Sequence, residues 1–223
     1  NDFRLEGATE YRVERLRLGL LTEGDNVEIT ELSVVTPDAE AELTANATLT
    51  SNYPLEARLN VELFLPEIYP ELSGESLILT LSGPLDALEA QLKASGAVNA
   101  TLSGQVDALA PTLPFQLQLQ SDQLQWPLPV SGDGSVNDLD LQVTGSLSDY
   151  SGQLAMAVEG PSLPRTQINI TGEGDLEQFR WQPLTLAVGE SSLRSEGNVS
   201  WVAPLQVNTT IRLDQFNPAH FVD

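Results

Sequence analysis

The chain has 223 residues, of which 41% are hydrophobic, and it carries 32 acidic against 10 basic residues, giving a net charge of −22. A field this negative repels phosphate groups, so nucleic acid is a poor partner, and the absence of cysteine excludes disulfides and thiolate metal sites. The length allows one large β domain or two small ones, and no apolar run approaches the ~20 residues that a membrane-spanning helix needs.

Residues 8–20 form the first segment with a readable pattern. Val13, Leu16 and Leu20 have the spacing of a helix face, which would allow a helix here. Leu16, Leu18 and Leu20 also alternate with polar or small residues, as the residues of a strand do. We predict a strand.

Apolar and polar residues alternate through most of the remaining chain, most regularly at Phe115, Leu117 and Leu119. A period of two predicts strands with one apolar and one solvated face. Turn signals separate the runs at 23–26, 73–74, 82–84, 131–134, 171–174 and 189–190. Many short strands joined by tight turns predict an all-β, antiparallel meander, with 66–73 and 216–222 as proline-containing loops or single turns.

Two pairs of segments are internally similar. Residues 79–96 align without a gap with 141–158, and residues 27–49 align with 179–201. The second pair has an offset of 152 and places Leu32 on Leu184. Internal similarity of this kind indicates repeated β units rather than a sandwich of unlike strands.

The stretch from Gly174 to Leu186 has the pattern Gly-x-Leu-x-x-aromatic-x-apolar-x-x-Leu-x-Leu, and it leads through Gly189 and Glu190 into "SEGNVSW". This sequence pattern resembles that of the TamB / AsmA-like family of envelope proteins. The resemblance implies a long twisted antiparallel sheet of repeated strands, curled into an open hydrophobic trough called a β-taco. It also implies that residues 1–223 form a single repetitive β domain, a fragment of a longer envelope-spanning protein.

The resemblance further implies a function without catalysis. Members of the family lie in the periplasm, anchored in the inner membrane, and are thought to shield or conduct phospholipid acyl chains toward the outer membrane. TamB works with an outer-membrane barrel partner, TamA, in outer-membrane assembly. We therefore expect phospholipid acyl chains and a TamA-type barrel as partners of the full-length protein.

An apolar lining follows from the strand parity, because one face of each alternating strand is aliphatic. Aliphatic burial is non-directional and suits varied acyl chains, although the same side chains could meet as the ordinary core of a sandwich. The predicted lining residues are Leu59, Val61, Leu63, Leu79, Leu81, Leu117, Leu119, Leu139, Leu141, Val143, Leu154, Met156, Ile168, Ile170, Leu184, Leu186, Val207, Ile211 and Leu213.

Catalytic and metal-binding signals are weak. His220 is the only histidine, and the acidic residues of 133–140 and 23–28 miss the spacing of an EF-hand loop. We expect no catalytic residue, no metal and no cofactor. Two alternatives stay open: a repetitive β adhesin or passenger module, and a carbohydrate-active domain with carboxylates beside Trp126 or Trp181.

Overall fold

The computed structural model describes residues 3–5, 11–64, 72–126 and 133–214, and every structural statement below refers to these residues. Their regular structure is β apart from the 3₁₀ turn Leu85–Ala87 and a 3₁₀ residue at Leu72, which confirms the all-β prediction. The strands are β1 (Phe3–Leu5), β2 (Tyr11–Val13), β3 (Arg15–Glu23), β4 (Asn26–Val35), β5 (Ala39–Thr48), β6 (Leu55–Leu63), β7 (Ser76–Gly83), β8 (Leu88–Ser95), β9 (Ala100–Val106), β10 (Phe115–Trp126), β11 (Gly134–Ser146), β12 (Asp149–Gly160), β13 (Leu163–Gly174), β14 (Gln178–Val188), β15 (Ser191–Ser200) and β16 (Gln206–Asp214).

Two compact units divide the chain, an N-terminal unit, Asn1–Leu109, and a C-terminal unit, Ala110–Asp223. The N-terminal unit contains β3–β9 and a separate β1–β2 ribbon, and the C-terminal unit contains β10–β16. Consecutive strands from β3 to β9, and likewise from β10 to β16, pair antiparallel with one another, which confirms the meander. The described part of each unit has no pairing between its first and last strands, so neither sheet closes on itself. A single domain over residues 1–223 stays a prediction.

The strand predicted within residues 8–20 is confirmed by β2 and β3 for the described residues 11–20. The turn predicted at 171–174 is wrong, because β13 continues through Gly172 to Gly174. These glycines lie beside aromatic side chains of the neighbouring strands, since an added Cβ on Gly174 would fall 2.8 Å from the Tyr150 hydroxyl oxygen. Glycine in a strand here marks close packing rather than a change of direction.

The same bulge occurs in β4 and in β14. Between Ile29 and Leu32, β4 has one more residue than the paired stretch of β5. Between Trp181 and Leu184, β14 has one more residue than the paired stretch of β15. The positions differ by 152 in both cases (181 − 29 and 184 − 32), which is the offset of the sequence alignment. The internal similarity therefore reports a repeated, bulged hairpin, and the bulge puts Phe179 on the same face as Leu184 although their numbers differ in parity.

Burial is low throughout the described residues. Their buried hydrophobic side chains are Leu88, Ala157 and Val188, and none of the described side chains falls below 2% exposure. A sandwich would enclose its inward-facing residues between two layers. Each unit is instead a single layer of sheet, so its apolar face is not covered by a second one.

Candidate functional site

A row of leucines crosses the whole N-terminal sheet. Each strand from β3 to β9 contributes one leucine, and each lies directly opposite the leucine of the next strand. The row consists of Leu18, Leu32, Leu43, Leu59, Leu79, Leu92 and Leu102. Adjacent strands lie about 4.8 Å apart, so the row forms a continuous aliphatic band across seven strands.

Small and branched aliphatic residues extend this band along the strands. Ala41 pairs with Val61, and Val61 pairs with Leu77, so these residues share the face of the leucine row. The predicted lining residues of this unit all lie on this face and are half-buried: Leu59, Val61, Leu63, Leu79 and Leu81. Of the leucine row, the predicted set contains Leu59 and Leu79. It omits the five others, which are Leu18, Leu32, Leu43, Leu92 and Leu102. It also omits the alanines of β5, because alanine carries little information about which face is buried.

The C-terminal sheet has an equivalent aliphatic row. Leu119, Leu141, Leu154, Ile170 and Leu184 lie opposite one another on five successive strands. The remaining predicted residues of this unit share the face through the register: Leu117, Leu139, Val143, Met156, Ile168, Leu186, Val207, Ile211 and Leu213. A one-residue slip in any of these pairings would move the affected side chains to the solvated face of the sheet.

The two ends of the row differ in exposure. The predicted residues on β10 to β14 are half-buried by their neighbours on the same face. Val207, Ile211 and Leu213 on the outermost strand, β16, are 59%, 56% and 54% exposed. Exposed aliphatic side chains on an edge strand mark a surface that another apolar group can cover.

Aromatic rings and glycines lie next to the aliphatic row. Tyr150 and Phe179 stack with ring centroids 6.5 Å apart and an interplanar angle of 14°. Both residues pair with Gly174, which lies between them on β13. The absence of a side chain on this glycine leaves room for the two rings to meet across it.

A short polar chain interrupts the apolar face. The Trp181 Nε1–H donates to Ser195 Oγ at 3.2 Å, and Ser195 Oγ lies 2.8 Å from Thr209 Oγ1. Ser195 is buried, and its hydroxyl is satisfied by these two neighbours. Because these polar groups bond to one another, the apolar face exposes the ring of the Trp181 indole rather than an unpaired polar group.

The opposite face is polar. Asp140 accepts hydrogen bonds from the Nε2 amides of Gln118 (3.2 and 3.1 Å), Gln120 (3.2 Å) and Gln142 (3.2 Å). The amide of Gln118, supported by those of Gln120 and Gln142, holds the pKa of the Asp140 carboxyl below its usual value despite some desolvation. The glutamines of "FQLQLQ" are thus held around a carboxylate on the solvated face.

The residues named for catalytic or metal chemistry take the following positions. The described residues contain no cluster of three or more His, Cys, Asp or Glu that could hold a metal ion. Asp138, from the predicted acidic segment, pairs with Arg165 at 2.9 Å. Trp181 donates to Ser195 and lies against Gly197 on the apolar face. His220 lies outside the described residues.

The fold and the uncovered face define an all-β protein built from antiparallel meanders, with one aliphatic surface per sheet. The family model of the N-terminal domain of TamB matches residues 1–223. The chain therefore belongs to this family, as its resemblance to TamB-like proteins implied. In the described residues no helix has the length and apolar character to cross a membrane.

A curated relative agrees with the family. The chain is 27% identical over 154 residues to the translocation and assembly module subunit TamB of Haemophilus influenzae. The match covers 68% of this chain and 12% of that protein, so the chain spans a small part of its relative's length. No solved structure matches the chain.

Proposed function

We propose that this chain is a non-enzymatic segment of a TamB-like translocation and assembly module, whose apolar face shields or conducts phospholipid acyl chains across the periplasm. The observation that carries the proposal is the aliphatic row of each unit, exemplified by Leu59 and Leu79 in one and Leu141 and Ile170 in the other. Except for Leu18 on the edge strand, which is exposed, the residues of these rows are half-buried, and they face no second layer within their unit.

Aliphatic rows suit a cargo of variable chain length and unsaturation. Each buried methylene contributes about 0.8 kcal/mol without a directional requirement, so the surface retains a chain and imposes no fixed position on it. Large rings that would clamp a ligand are concentrated at Tyr150, Phe179 and Trp181 rather than along the rows. The acidic composition keeps anionic surfaces at a distance from the polar face.

The name of the relative supports an assembly role. In the full-length protein, an outer-membrane barrel of the TamA type is the expected partner, and the periplasm, between an inner-membrane anchor and that barrel, is the expected location. The chain supplies part of the lining in this arrangement. Lipid movement and membrane-protein assembly would then both use one hydrocarbon surface.

The experiment places a charge on the apolar face and, in a matched control, at the adjacent residue of the same strand. Leu141→Arg and Ile170→Asp point into the lining, whereas Gln142→Arg and Asn169→Asp point to solvent. Burying an unpaired charge against hydrocarbon costs several kcal/mol, so the lining variants should lose lipid capture. The solvent-face variants should keep it, since the new charge stays hydrated.

Thermal melting and mass spectrometry of co-purified lipid are measured on all four variants. A melting temperature close to that of the parent chain, together with lost phospholipid in the lining variants alone, supports the proposal. Collapse of the melting temperature in Leu141→Arg and Ile170→Asp would mean an ordinary closed core. Unchanged lipid capture in a folded lining variant would refute lipid shielding.

A further inference from the structure

One end of the C-terminal sheet carries exposed apolar side chains at three turns. In an antiparallel meander alternate turns lie at the same end, so the β11–β12, β13–β14 and β15–β16 turns are neighbours about 10 Å apart. Their exposed side chains, here called the apolar rim, are Leu147 (44%), Leu176 (65%), Trp201 (46%), Val202 (51%) and Leu205 (69%). Several exposed apolar groups at one sheet end mark an interaction surface rather than isolated surface residues.

Hydrogen bonds hold the rim in place. The indole N–H of Trp201 donates to the carbonyl oxygen of Leu176, which ties the β15–β16 loop to the β13–β14 turn. The backbone N–H of Trp201 and the hydroxyl of Ser200 both donate to the carbonyl oxygen of Glu177, at 3.1 and 3.2 Å. Asp175 Oδ1 accepts from the N–H of Glu177 at 2.7 Å, which fixes the turn that carries Leu176. The rim is therefore a preorganised surface.

The rim continues directly into the apolar face. The row of the sheet nearest these turns contains Tyr150, Phe179 and Val207, joined through Gly174 and Val199. Beyond this row lie the aliphatic residues of the strand centres. Apolar surface therefore extends from the aromatic row to the lining, and the polar chain of Trp181, Ser195 and Thr209 interrupts it on β14 to β16.

The opposite end of this sheet differs. Its described turns are formed by Pro161 and Ser162 between β12 and β13, and by Gly189 and Glu190 between β14 and β15. Leu163, which begins β13, is the exposed large hydrophobic residue at these two turns, at 40%. Among the described turns of this sheet, those of the rim therefore carry most of the exposed apolar surface.

We infer that a phospholipid acyl chain enters and leaves the lining of the C-terminal unit sideways, across the apolar rim and the aromatic row beneath it. The inference rests on the proposed function. Asp149, Asp175 and Glu177 flank the rim, so it repels anionic head groups and accepts the hydrocarbon of a zwitterionic lipid. Leucine and tryptophan at the turn tips cover the first methylenes of a chain as it leaves its bilayer.

This role has a kinetic signature that a binding role lacks. A surface that contacts the acyl chain only while it passes lowers the free-energy barrier both to capture and to release of the lipid. Removing it slows capture and release by the same factor and leaves the amount of bound lipid unchanged. Removing part of the storage surface would instead lower the bound amount.

The probe is phosphatidylcholine that carries a self-quenched fluorophore on one acyl chain, presented in zwitterionic vesicles. When the protein takes up this lipid the quenching is relieved. The stopped-flow fluorescence trace then gives the rate of lipid capture and, from its amplitude, the amount of lipid bound. The double variant Leu176→Ser/Leu205→Ser removes two rim side chains and keeps the Leu176 carbonyl that Trp201 binds. Leu163→Ser is the matched control at the opposite end, and Leu147→Ser is a second, single rim variant.

The rim variants should capture lipid about fivefold more slowly with the same amplitude and melting temperature, since about 1 kcal/mol of transient apolar contact is lost. Leu163→Ser should behave as the parent chain. Parent-like rates in both rim variants, or equal slowing in Leu163→Ser, would overturn the sideways entry and leave the proposed function standing. No uptake by the parent chain would overturn both.

Discussion

The indole of Trp181 lies against Gly197 of the neighbouring strand, where an added Cβ would fall 2.5 Å from Trp181 Cζ2. The same Cβ would also meet the carbonyl oxygen of Asn208. Gly197 therefore lets the tryptophan lie flat on the apolar face and donate to Ser195. Glycine is required here for close approach, as its φ is not in the left-handed region.

Gly197→Ala should lower the free energy of unfolding by about 1 to 3 kcal/mol, because the methyl group collides with backbone and with a packed ring. Gly152→Ala on the same face is the control, since its Cβ would meet its nearest atom, the Gln142 carbonyl oxygen, at 3.4 Å. Urea denaturation of both variants makes the comparison. Equal stability of the two variants would contradict the packing described for Trp181.

Leu79→Ala tests whether the leucine row belongs to an open face. Leu79 is half-buried, so we expect a loss of about 1 to 2 kcal/mol, at or below the lower end of the 2 to 5 kcal/mol typical of enclosed cores. Leu18→Ala, at 64% exposure on the edge strand, should change the free energy of unfolding little. Chemical denaturation gives both values, and a loss above about 4 kcal/mol for Leu79→Ala would indicate an enclosed core.

Deletion of Pro183 should leave a folded sheet. The bulge gives β14 three steps between Trp181 and Leu184 where β13 takes two, from Gly172 to Ile170, so removing one residue makes the pairing regular and keeps both apolar sets on one face. Deletion of Asn169, within the regular stretch of β13, should instead move the side chain of every later residue of the strand to the opposite face of the sheet.

Circular dichroism and thermal melting distinguish the two deletions. The Pro183 deletion should keep the β spectrum and a cooperative transition, whereas the Asn169 deletion should lose the transition. A folded Asn169 deletion alongside an unfolded Pro183 deletion would mean that the register around this bulge is not the one described.

Asp140→Asn should reduce stability in a pH-dependent way. Because hydrogen bonding, led by Gln118, holds the pKa of this carboxyl below its usual value, the carboxylate stabilises the fold above the unfolded pKa. That contribution is lost as the pH falls through the lowered folded pKa. The expected difference is under about 1 kcal/mol at pH 7, since the group lies at the sheet surface, and it should shrink below about pH 4.

Asp122→Asn serves as the control for this change. It removes one negative charge from the same sheet and so reports the relief of general repulsion in a chain of net charge −22. Unfolding free energies of the parent and both variants are measured from pH 7 downward. A difference between the two variants that does not depend on pH would contradict a role for the Asp140 carboxylate.

Much of the fold was predictable from alternation alone. Leu59, Val61 and Leu63 lie on one face in the structure because a regular strand preserves parity. Parity fails at bulges, and the change from odd to even numbers between Trp181 and Leu184 is the sequence signal of one. The glycines at 172 and 174 predict a turn because a single sequence does not show the Phe179 ring that packs against Gly172 from the next strand.

The candidate site was less predictable than the fold. The apolar rim depends on which turns share an end of the sheet, and this follows from strand order rather than from any local pattern. Leu176 and Leu205 are 29 positions apart (205 − 176) and belong to one rim only through the meander. The polar chain from Trp181 to Thr209 likewise needs the register of three strands.

The spacing of the leucine row in the N-terminal unit bears on how easily an alkyl chain could slide along it. Its side chains repeat at the strand spacing of about 4.8 Å, which is much longer than the spacing of successive methylenes in an alkyl chain. An alkyl chain that lies along the row would meet each leucine at a different point of its methylene repeat. When it slides, the contact energy lost at one leucine would then largely be regained at another. Under the proposed function, these two mismatched periods would hold an acyl chain by the total apolar contact and give it no preferred position along the row.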